Sequence, residues 1–427
     1  MSLLSQLIAR LQRSAIAKDS SWAIIGSAVG KGASMLIGVI IARLLGAEDF
    51  GEYGMVKSTL FYIAVFSTFG LGCTTTKYIA QHKSNDYGTT LSIIKNSLLI
   101  TLLTSGIMAV LLLLFAGYIT ADKHLIAILR YISLVVIFNA VNTTQLGLLS
   151  GFKDFKAIAR NNAITGIVTL LSGVPLTYYM GLVGAIISLF VSTLLQCVLN
   201  HISVRGHLQK IREQNCHSSV PQQHFFRKLF VFSLPIAMQE GVYSSANWLR
   251  MIMITSLAGY EELGLYTATN QWYIMIMFIP GVLRNVVLSH LSSTLDNNSQ
   301  NRNTFSTMLK INIATTLLPA LLIIAASPLI ELFYGATFDG LSSIISIAAI
   351  LSVFGCIGDI YVQDFISKGK NWTMFLCGVF RNYGSLLLAW PFMIKYGAAY
   401  GASIAFATLL FIQIIYCGVL HYLHTRK

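Results

Sequence analysis

The chain has 427 residues, of which 55% are hydrophobic and only 11% are charged. Because a soluble domain carries roughly a quarter charged residues, this composition excludes a soluble globular protein and predicts that lipid surrounds most of the chain. A net charge of +13 would suit a nucleic-acid partner, but basic loops facing a cytoplasm and anionic lipid explain the charge of a membrane protein better. We therefore expect no nucleic-acid partner.

Apolar segments long enough to cross a bilayer recur along the whole chain. A transmembrane helix needs about 20 mostly apolar residues, and about twelve segments meet this requirement. The segments lie near residues 20–45, 53–76, 91–119, 125–150, 157–179, 182–202, 229–258, 263–290, 307–333, 341–366, 372–394 and 399–422. The sequence therefore predicts an all-α polytopic membrane protein with about twelve transmembrane helices.

The charges of the loops predict the orientation of these spans. If the N-terminus is cytoplasmic, most loop Lys and Arg residues fall on the cytoplasmic side. Only Lys123 and Lys395 then lie clear of the spans on the opposite side. An excess of Lys and Arg in cytoplasmic loops is the usual determinant of membrane topology. We expect both termini, and the segment around Cys216, in the cytoplasm.

A repeated motif divides the chain into halves. Residues 41–53 read IARLLGAEDFGEY, and residues 254–266 read ITSLAGYEELGLY. A second pattern, Pro-x5-Gly, begins at Pro175 and again at Pro391. Both copies of the motif begin on the same side of the membrane, which is typical of a parallel repeat with its substrate site in a central cavity between the halves. The predicted domains are an N-terminal six-helix bundle (1–202), a cytoplasmic linker (203–228) and a C-terminal six-helix bundle (229–427).

Signatures of catalysis are missing from the sequence. It contains no GxxxxGK[ST] loop, no HExxH or GxSxG motif and no cluster of Cys and His residues at metal-ligand spacing. The loops predicted on the outer side are short. We therefore expect a protein that is not an enzyme and that has no resident cofactor or metal ion.

Ionisable residues within the predicted spans are the most informative about a ligand. Such residues are costly in lipid and usually face a protein interior or a wet cavity. Eight are cations and two are acids, which favours an anionic ligand. They are Lys31, Arg43, Lys57, Lys95, Arg130, Glu240, Arg250, Arg284, Asp359 and Arg381.

A polar stripe on the seventh span is the most specific pattern. Its residues follow helical spacing along one face and are Glu240, Tyr243, Ser244, Asn247 and Arg250. The candidate substrate-binding residues are Lys31, Arg250, Arg284, Asn247 and Tyr243.

Structural roles for these side chains stay open. Polar stripes also form hydrogen bonds between helices without any ligand. Asp359 and Arg381 form either a structural ion pair or a functional one. Glu240 either neutralises Arg284 or binds a coupling ion.

Three motifs carry a resemblance to a known family. Residues 42–53 read ARLLGAEDFGEY, residues 148–155 read LLSGFKDF, and Arg160-Asn161 follow within the fifth span. Together they resemble the signature of polysaccharide and O-antigen flippases in the multidrug/oligosaccharidyl-lipid/polysaccharide exporter superfamily. The resemblance implies twelve spans in two bundles around a central cavity that opens to one side at a time.

The resemblance also implies a function. Such proteins move undecaprenyl-pyrophosphate-linked oligosaccharide units, such as those of O-antigen in lipopolysaccharide biosynthesis, from the cytoplasmic to the periplasmic leaflet of the bacterial inner membrane. Cations in the cavity accommodate the pyrophosphate or acidic sugars, and Lys31, Arg250 and Arg284 match that role by position. The implied partners are the lipid-linked oligosaccharide, membrane lipid and the polysaccharide polymerase machinery. Proton or sodium coupling stays open.

Three other functions are alternatives to this one. A multidrug exporter of the same superfamily would need an acidic cavity for cationic drugs, and the excess of cations disfavours it. A small-solute transporter of the major facilitator type would carry a basic signature between its second and third spans, where this chain reads KYIAQHKSNDYG. The parallel repeat and short outer loops disfavour a membrane-embedded glycan polymerase.

Overall fold

The computed structural model describes residues 15–68, 70–82, 87–118, 123–214, 225–293 and 298–426, which are almost entirely helical and contain no strand. Eleven α-helices and two 3₁₀ turns, Ala116–Tyr118 and Ala336–Phe338, occupy this part of the chain. The helices are α1 Ala15–Thr68, α2 Leu71–His82, α3 Tyr87–Phe115, α4 Lys123–Gly151, α5 Phe155–Gln214, α6 Phe225–Ala258, α7 Tyr260–Ile276, α8 Phe278–Ser293, α9 Asn298–Tyr334, α10 Leu341–Ser367 and α11 Asn371–Thr425.

Three of these helices are too long for one crossing of a bilayer. At about 1.5 Å per residue, a straight helix of 54 residues would be far longer than the roughly 30 Å of a hydrocarbon core. Non-helical backbone interrupts each one: α1 at Gly46 (φ 78°), α5 at Gly181 (φ 56°) and α11 at Tyr400 (φ −144°). Each long helix therefore supplies two consecutive spans, and the prediction of about twelve transmembrane helices is confirmed.

The helices present the surface expected of a multi-pass membrane protein. Six helical segments of the described chain are long and apolar enough to cross a membrane by length and composition. On α3, large apolar side chains remain exposed, including Leu99, Leu103, Ile107 and Leu114. Exposed apolar surface of this extent is stable only in lipid.

Contacts divide the chain into two compact units. The first unit contains Val56–Gly241 and the described residues up to Ile37, and the second contains Gly38–Met55 and Val242–Lys427. Residues 203–214 of the predicted linker continue α5, and α6 begins at Phe225. The predicted bundle limits 1–202 and 229–427 stay predictions.

Each unit has an apolar core of its own. In the first unit, α2, α3 and α4 bury a cluster that includes Leu71, Ile93 and Leu148. In the second unit, α8 to α11 bury a cluster that includes Leu291 and Phe365. These cores hold the helices in register and thereby position the polar side chains between them.

Candidate functional site

A buried cation, Arg250, ends the polar stripe on α6. Arg250 is only 5% exposed, and its guanidinium donates a hydrogen bond to the Ser385 hydroxyl of α11 at 2.8 Å. Among the described residues, no carboxylate lies within the 4.0 Å of an ion pair with Arg250. A charge buried without a counter-ion is costly. This arrangement can therefore attract an anion.

The neighbouring residues of the stripe are oriented by α7. The Tyr266 hydroxyl donates to the Asn247 side-chain oxygen at 3.2 Å. The Tyr266 ring packs against Phe406, with ring centroids 5.0 Å apart. Tyr243, one turn before Asn247, is 53% exposed. The stripe thus carries a fixed amide and an accessible aromatic face beside the buried guanidinium.

The sequence pointed to α6 but not to the side chains that α11 supplies. Tyr383 shares a hydrogen bond of 2.6 Å with Ser245, and Ser385 holds Arg250. Both lie just after Arg381-Asn382, in an otherwise apolar helix. This short polar run could have indicated that α11 contacts α6, because polar side chains in an apolar span usually face other helices.

A second charged group of the second unit is an ion pair. One guanidinium nitrogen of Arg284 on α8 lies 3.2 Å from both carboxylate oxygens of Asp359 on α10. The Arg284 side chain is 54% exposed and that of Asp359 is 21% exposed. The positive charge of Arg284 is thus compensated, whereas Arg250 has no such partner among the described residues.

The alternative pairing of Asp359 with Arg381 does not form in the described part of the chain. The Arg381 guanidinium lies over the Tyr416 ring, 5.5 Å from its centroid, and donates to Asn382 at 3.5 Å. An aromatic face attracts a cation through its quadrupole and so stabilises Arg381 here. Asp359 pairs with Arg284 because the guanidinium of α8, rather than that of α11, lies next to its carboxylate.

The two other sequence candidates lie in the first unit. Lys31 is part of α1, but its side chain is outside the described part of the structure. Glu240 lies on α6, is exposed, and makes no ion pair with the described cations. Pairing of Glu240 with Arg284 is replaced by the Arg284–Asp359 pair. Within the described residues, no group of three or more His, Cys, Asp or Glu side chains is placed to hold a metal ion.

Comparison with known proteins gives both family and fold relatives. The profile of a family described as polysaccharide biosynthesis protein matches residues 16–287. A Shigella flexneri protein named "Putative O-antigen transporter" is 20% identical over 428 residues, covering 96% of this chain and 98% of the relative. The lipid III flippase of Escherichia coli (strain K12) is 28% identical over 169 residues, covering 39% of each chain.

Solved structures share the fold. A multidrug resistance MATE transporter of the MOP superfamily, in its inward-facing conformation, has a TM-score of 0.72 at 13% identity and covers 94% of this chain and 99% of its own. A MOP superfamily transporter from Pyrococcus furiosus has a TM-score of 0.69 at 15% identity and covers 96% of this chain and 95% of its own. At these identities the likeness concerns the fold alone.

Proposed function

The chain belongs to the polysaccharide biosynthesis protein family, and from this premise we propose that it translocates undecaprenyl-pyrophosphate-linked oligosaccharide units across a bacterial inner membrane, from the cytoplasmic to the periplasmic leaflet. The resemblance expected from the motif at residues 42–53 is confirmed at the level of the family. Similarity to an O-antigen transporter and a lipid III flippase supports a lipid-linked saccharide as the cargo.

The buried charge of Arg250, which has no counter-ion among the described residues, is the observation that carries this proposal. A pyrophosphate and a hydrated glycan cannot cross hydrocarbon unaided, because their polar groups would lose hydration. A guanidinium offers a planar fork of donors that matches phosphate oxygens. Asn247 and Tyr243 lie on the same face of α6 and supply a hydrogen-bonding group and a ring face to a sugar.

The second unit is less suited to the export of cationic drugs than to the transport of an anionic, lipid-linked saccharide. That cargo would need a buried carboxylate without a cation of its own. Among the described residues there, Asp359 is paired with Arg284, and Asp364 is paired with Lys368 and His424. Glu262 accepts a hydrogen bond from the Ala402 N–H at 2.8 Å, close to the backbone break of α11. These acids are therefore occupied by structural partners.

Energy coupling and partners complete the proposal. Glu240 is an exposed carboxylate without an ion pair among the described residues, and we assign it as the candidate group for a coupled proton or sodium ion. The proposed partners are the lipid-linked oligosaccharide, membrane lipid and the polysaccharide polymerase machinery. No resident cofactor is invoked.

A deletion strain tests the function. Removal of the protein should leave lipid-linked repeat units in the cytoplasmic leaflet and remove the surface polysaccharide. Wild-type protein should restore both, and Arg250→Glu should not. Arg302→Glu is the matched control, because Arg302 is an exposed arginine of the same unit. Normal surface glycan in the deletion strain, with no related flippase present, would overturn the proposal.

A further inference from the structure

A basic pocket lies in the first unit, at the end of the spans where α4 ends and α5 begins. Its volume is about 410 Å³, and none of its residues belongs to the candidate transport site. The first turns of α5 and the later part of the same helix, beyond its break at Gly181, form the walls. The lining residues are Asp154, Lys156, Ala157, Arg160, Ile202, Ser203, Gly206, His207 and Lys210.

Cations exceed acids in this pocket. Lys156, Arg160 and Lys210 face a single lining carboxylate, that of Asp154. Asp154 accepts a hydrogen bond from the Ala157 N–H at 3.0 Å and lies 2.7 Å from the His207 imidazole. Burial alone would raise the pKa of Asp154. The contacts with Ala157 and His207 and the charge of Arg160 outweigh this effect and hold the pKa below its usual range. Asp154 is therefore engaged by its own neighbours, and the pocket keeps a positive balance.

A buried network of amides fixes the arginine wall. The Asn161 side chain donates to Asn200 at 2.9 Å and to Ser203 at 3.1 Å, and Asn200 donates to Asn142 on α4. Asn161 and Asn200 are fully buried. Arg160 donates to the same Ser203 hydroxyl at 3.4 Å. The same nitrogen of Arg160 also donates to the Asn161 side-chain oxygen at 3.5 Å. A guanidinium has five N–H donors, so three of them have no partner among the described residues and are available to a ligand.

We propose that this pocket binds a phosphate group, supplied by the headgroup of an anionic phospholipid or by phosphate in solution. The charges of Arg160 and Lys210 beside a small cavity match the charge and the several acceptor oxygens of phosphate. The pocket lies at the ends of the spans, at the depth where lipid headgroups reside, and basic pockets between helices bind such headgroups. This inference does not depend on the saccharide carried, because the candidate transport site uses other residues.

Lipid binding to the purified full-length protein tests the inference. In nanodiscs of phosphatidylcholine with increasing phosphatidylglycerol, native mass spectrometry counts retained phosphatidylglycerol. In a second experiment, sodium phosphate is added to the protein in detergent instead of phosphatidylglycerol, and a rise in melting temperature reports binding. The pocket variant is Arg160→Gln with Lys210→Gln. The matched control is Arg205→Gln with Arg212→Gln, which removes equal charge from exposed sites of the same helix outside the pocket.

The pocket variant should bind phosphatidylglycerol at least about tenfold more weakly than the wild type, because each of its two substitutions removes charge-assisted hydrogen bonds to the lipid. The control should change binding no more than about twofold. Stabilisation of the wild type by phosphatidylglycerol alone assigns a lipid headgroup, and stabilisation by phosphate as well assigns the phosphate group itself. Equal losses in both double variants, or no binding by the wild type, would overturn the proposal. If the double variant does not fold, Lys210→Gln alone at the exposed rim gives the same comparison with Arg205→Gln.

Discussion

Gly51 and Gly264 each lie against the backbone of the other's motif. A Cβ atom on Gly51 would overlap the Tyr260 carbonyl, and a Cβ atom on Gly264 would overlap the Ala47 carbonyl. Tyr260 and Ala47 occupy equivalent positions of the two sequence repeats, as do the two glycines. The two copies of the motif therefore pack reciprocally within the second unit, so both turns lie at the same end of that unit, as a parallel repeat requires.

The first prediction concerns this glycine contact. Gly51→Ala should destabilise the protein by about 1–3 kcal/mol, because the added methyl group meets backbone atoms that cannot rotate away. Gly264→Ala should have a similar effect. Thermal unfolding of the purified protein in detergent measures both.

Gly418→Ala is the control for this prediction. Gly418 lies in α11 with open space around it, so alanine there should leave the melting temperature unchanged or raise it slightly through helix propensity. If Gly51→Ala melts at or above the wild-type temperature, the reciprocal packing does not contribute to stability.

The second prediction concerns the cations proposed to attract the substrate. Arg250→Lys should retain part of the export activity because the positive charge persists, whereas Arg250→Gln should retain little. The same order is expected for Lys31→Arg and Lys31→Gln on the sequence argument alone. The measurement is surface polysaccharide in the complemented deletion strain, with membrane abundance checked by immunoblot. Wild-type export by both glutamine variants would refute the cationic site.

The third prediction concerns topology. Both termini and the segment near His217 should be cytoplasmic, and Tyr260 should be periplasmic, because loop Lys and Arg accumulate on one side. Phosphatase and fluorescent-protein fusions after His217 and after Tyr260 report the side directly. Phosphatase activity after His217, or fluorescence after Tyr260, would invert the assignment.

The sequence predicted the helices better than it predicted their partners. Apolar length alone predicted the spans, and the breaks at Gly46 and Gly259 fall at equivalent positions of the repeat. The contact of Arg250 with Ser385 joins positions 135 residues apart. Such a partner depends on how each helix is rotated and tilted by packing. Neither hydropathy nor helical spacing specifies the rotation or the tilt of a helix.

The same limit explains the choice between Arg284 and Arg381 as the partner of Asp359. Both arginines lie in predicted spans, and either could form an ion pair with Asp359 by its charge. Burial of Tyr416 in the core of the second unit places its ring beneath Arg381. Packing thus decided a pairing that charge counting left open.

The fourth prediction concerns the pH dependence that Asp154 produces. Its pKa is lowered in the folded protein, so ionised Asp154 stabilises the fold above its unfolded pKa, about 3.9. That stability is lost as the pH falls through the lower folded pKa. Asp154→Asn should therefore melt below the wild type at neutral pH, by up to about 1 kcal/mol, because asparagine can still cap α5 but loses the negative charge at the N-terminus of the helix and beside His207. The difference should shrink below about pH 4.

Melting curves of Asp154→Asn and wild type between pH 7 and pH 3 measure this dependence. Asp339→Asn is the control, because Asp339 is exposed and precedes α10 without an ion pair among the described residues. A difference between wild type and Asp154→Asn that stays constant across this range would contradict the electrostatic origin.

The last prediction separates structural from transport roles of Arg284. Because the Arg284 side chain is more than half exposed, its pairing with Asp359 should contribute no more than about 1 kcal/mol to stability. Both Arg284→Gln and Asp359→Asn should therefore fold and insert normally. The charge swap Arg284→Asp with Asp359→Arg keeps the pair but moves the cation from α8 to α10.

If Arg284 acts only through Asp359, export should fall in each single variant and return in the swap. If Arg284 also attracts the substrate from its place on α8, the swap should remain defective, and Asp359→Asn should export at least as well as the wild type because it removes the competing carboxylate. We expect the second outcome, since the candidate site needs cations and Arg284 is accessible. Recovery of export in the swap would assign Arg284 to structure and leave Arg250 as the cation of the described site.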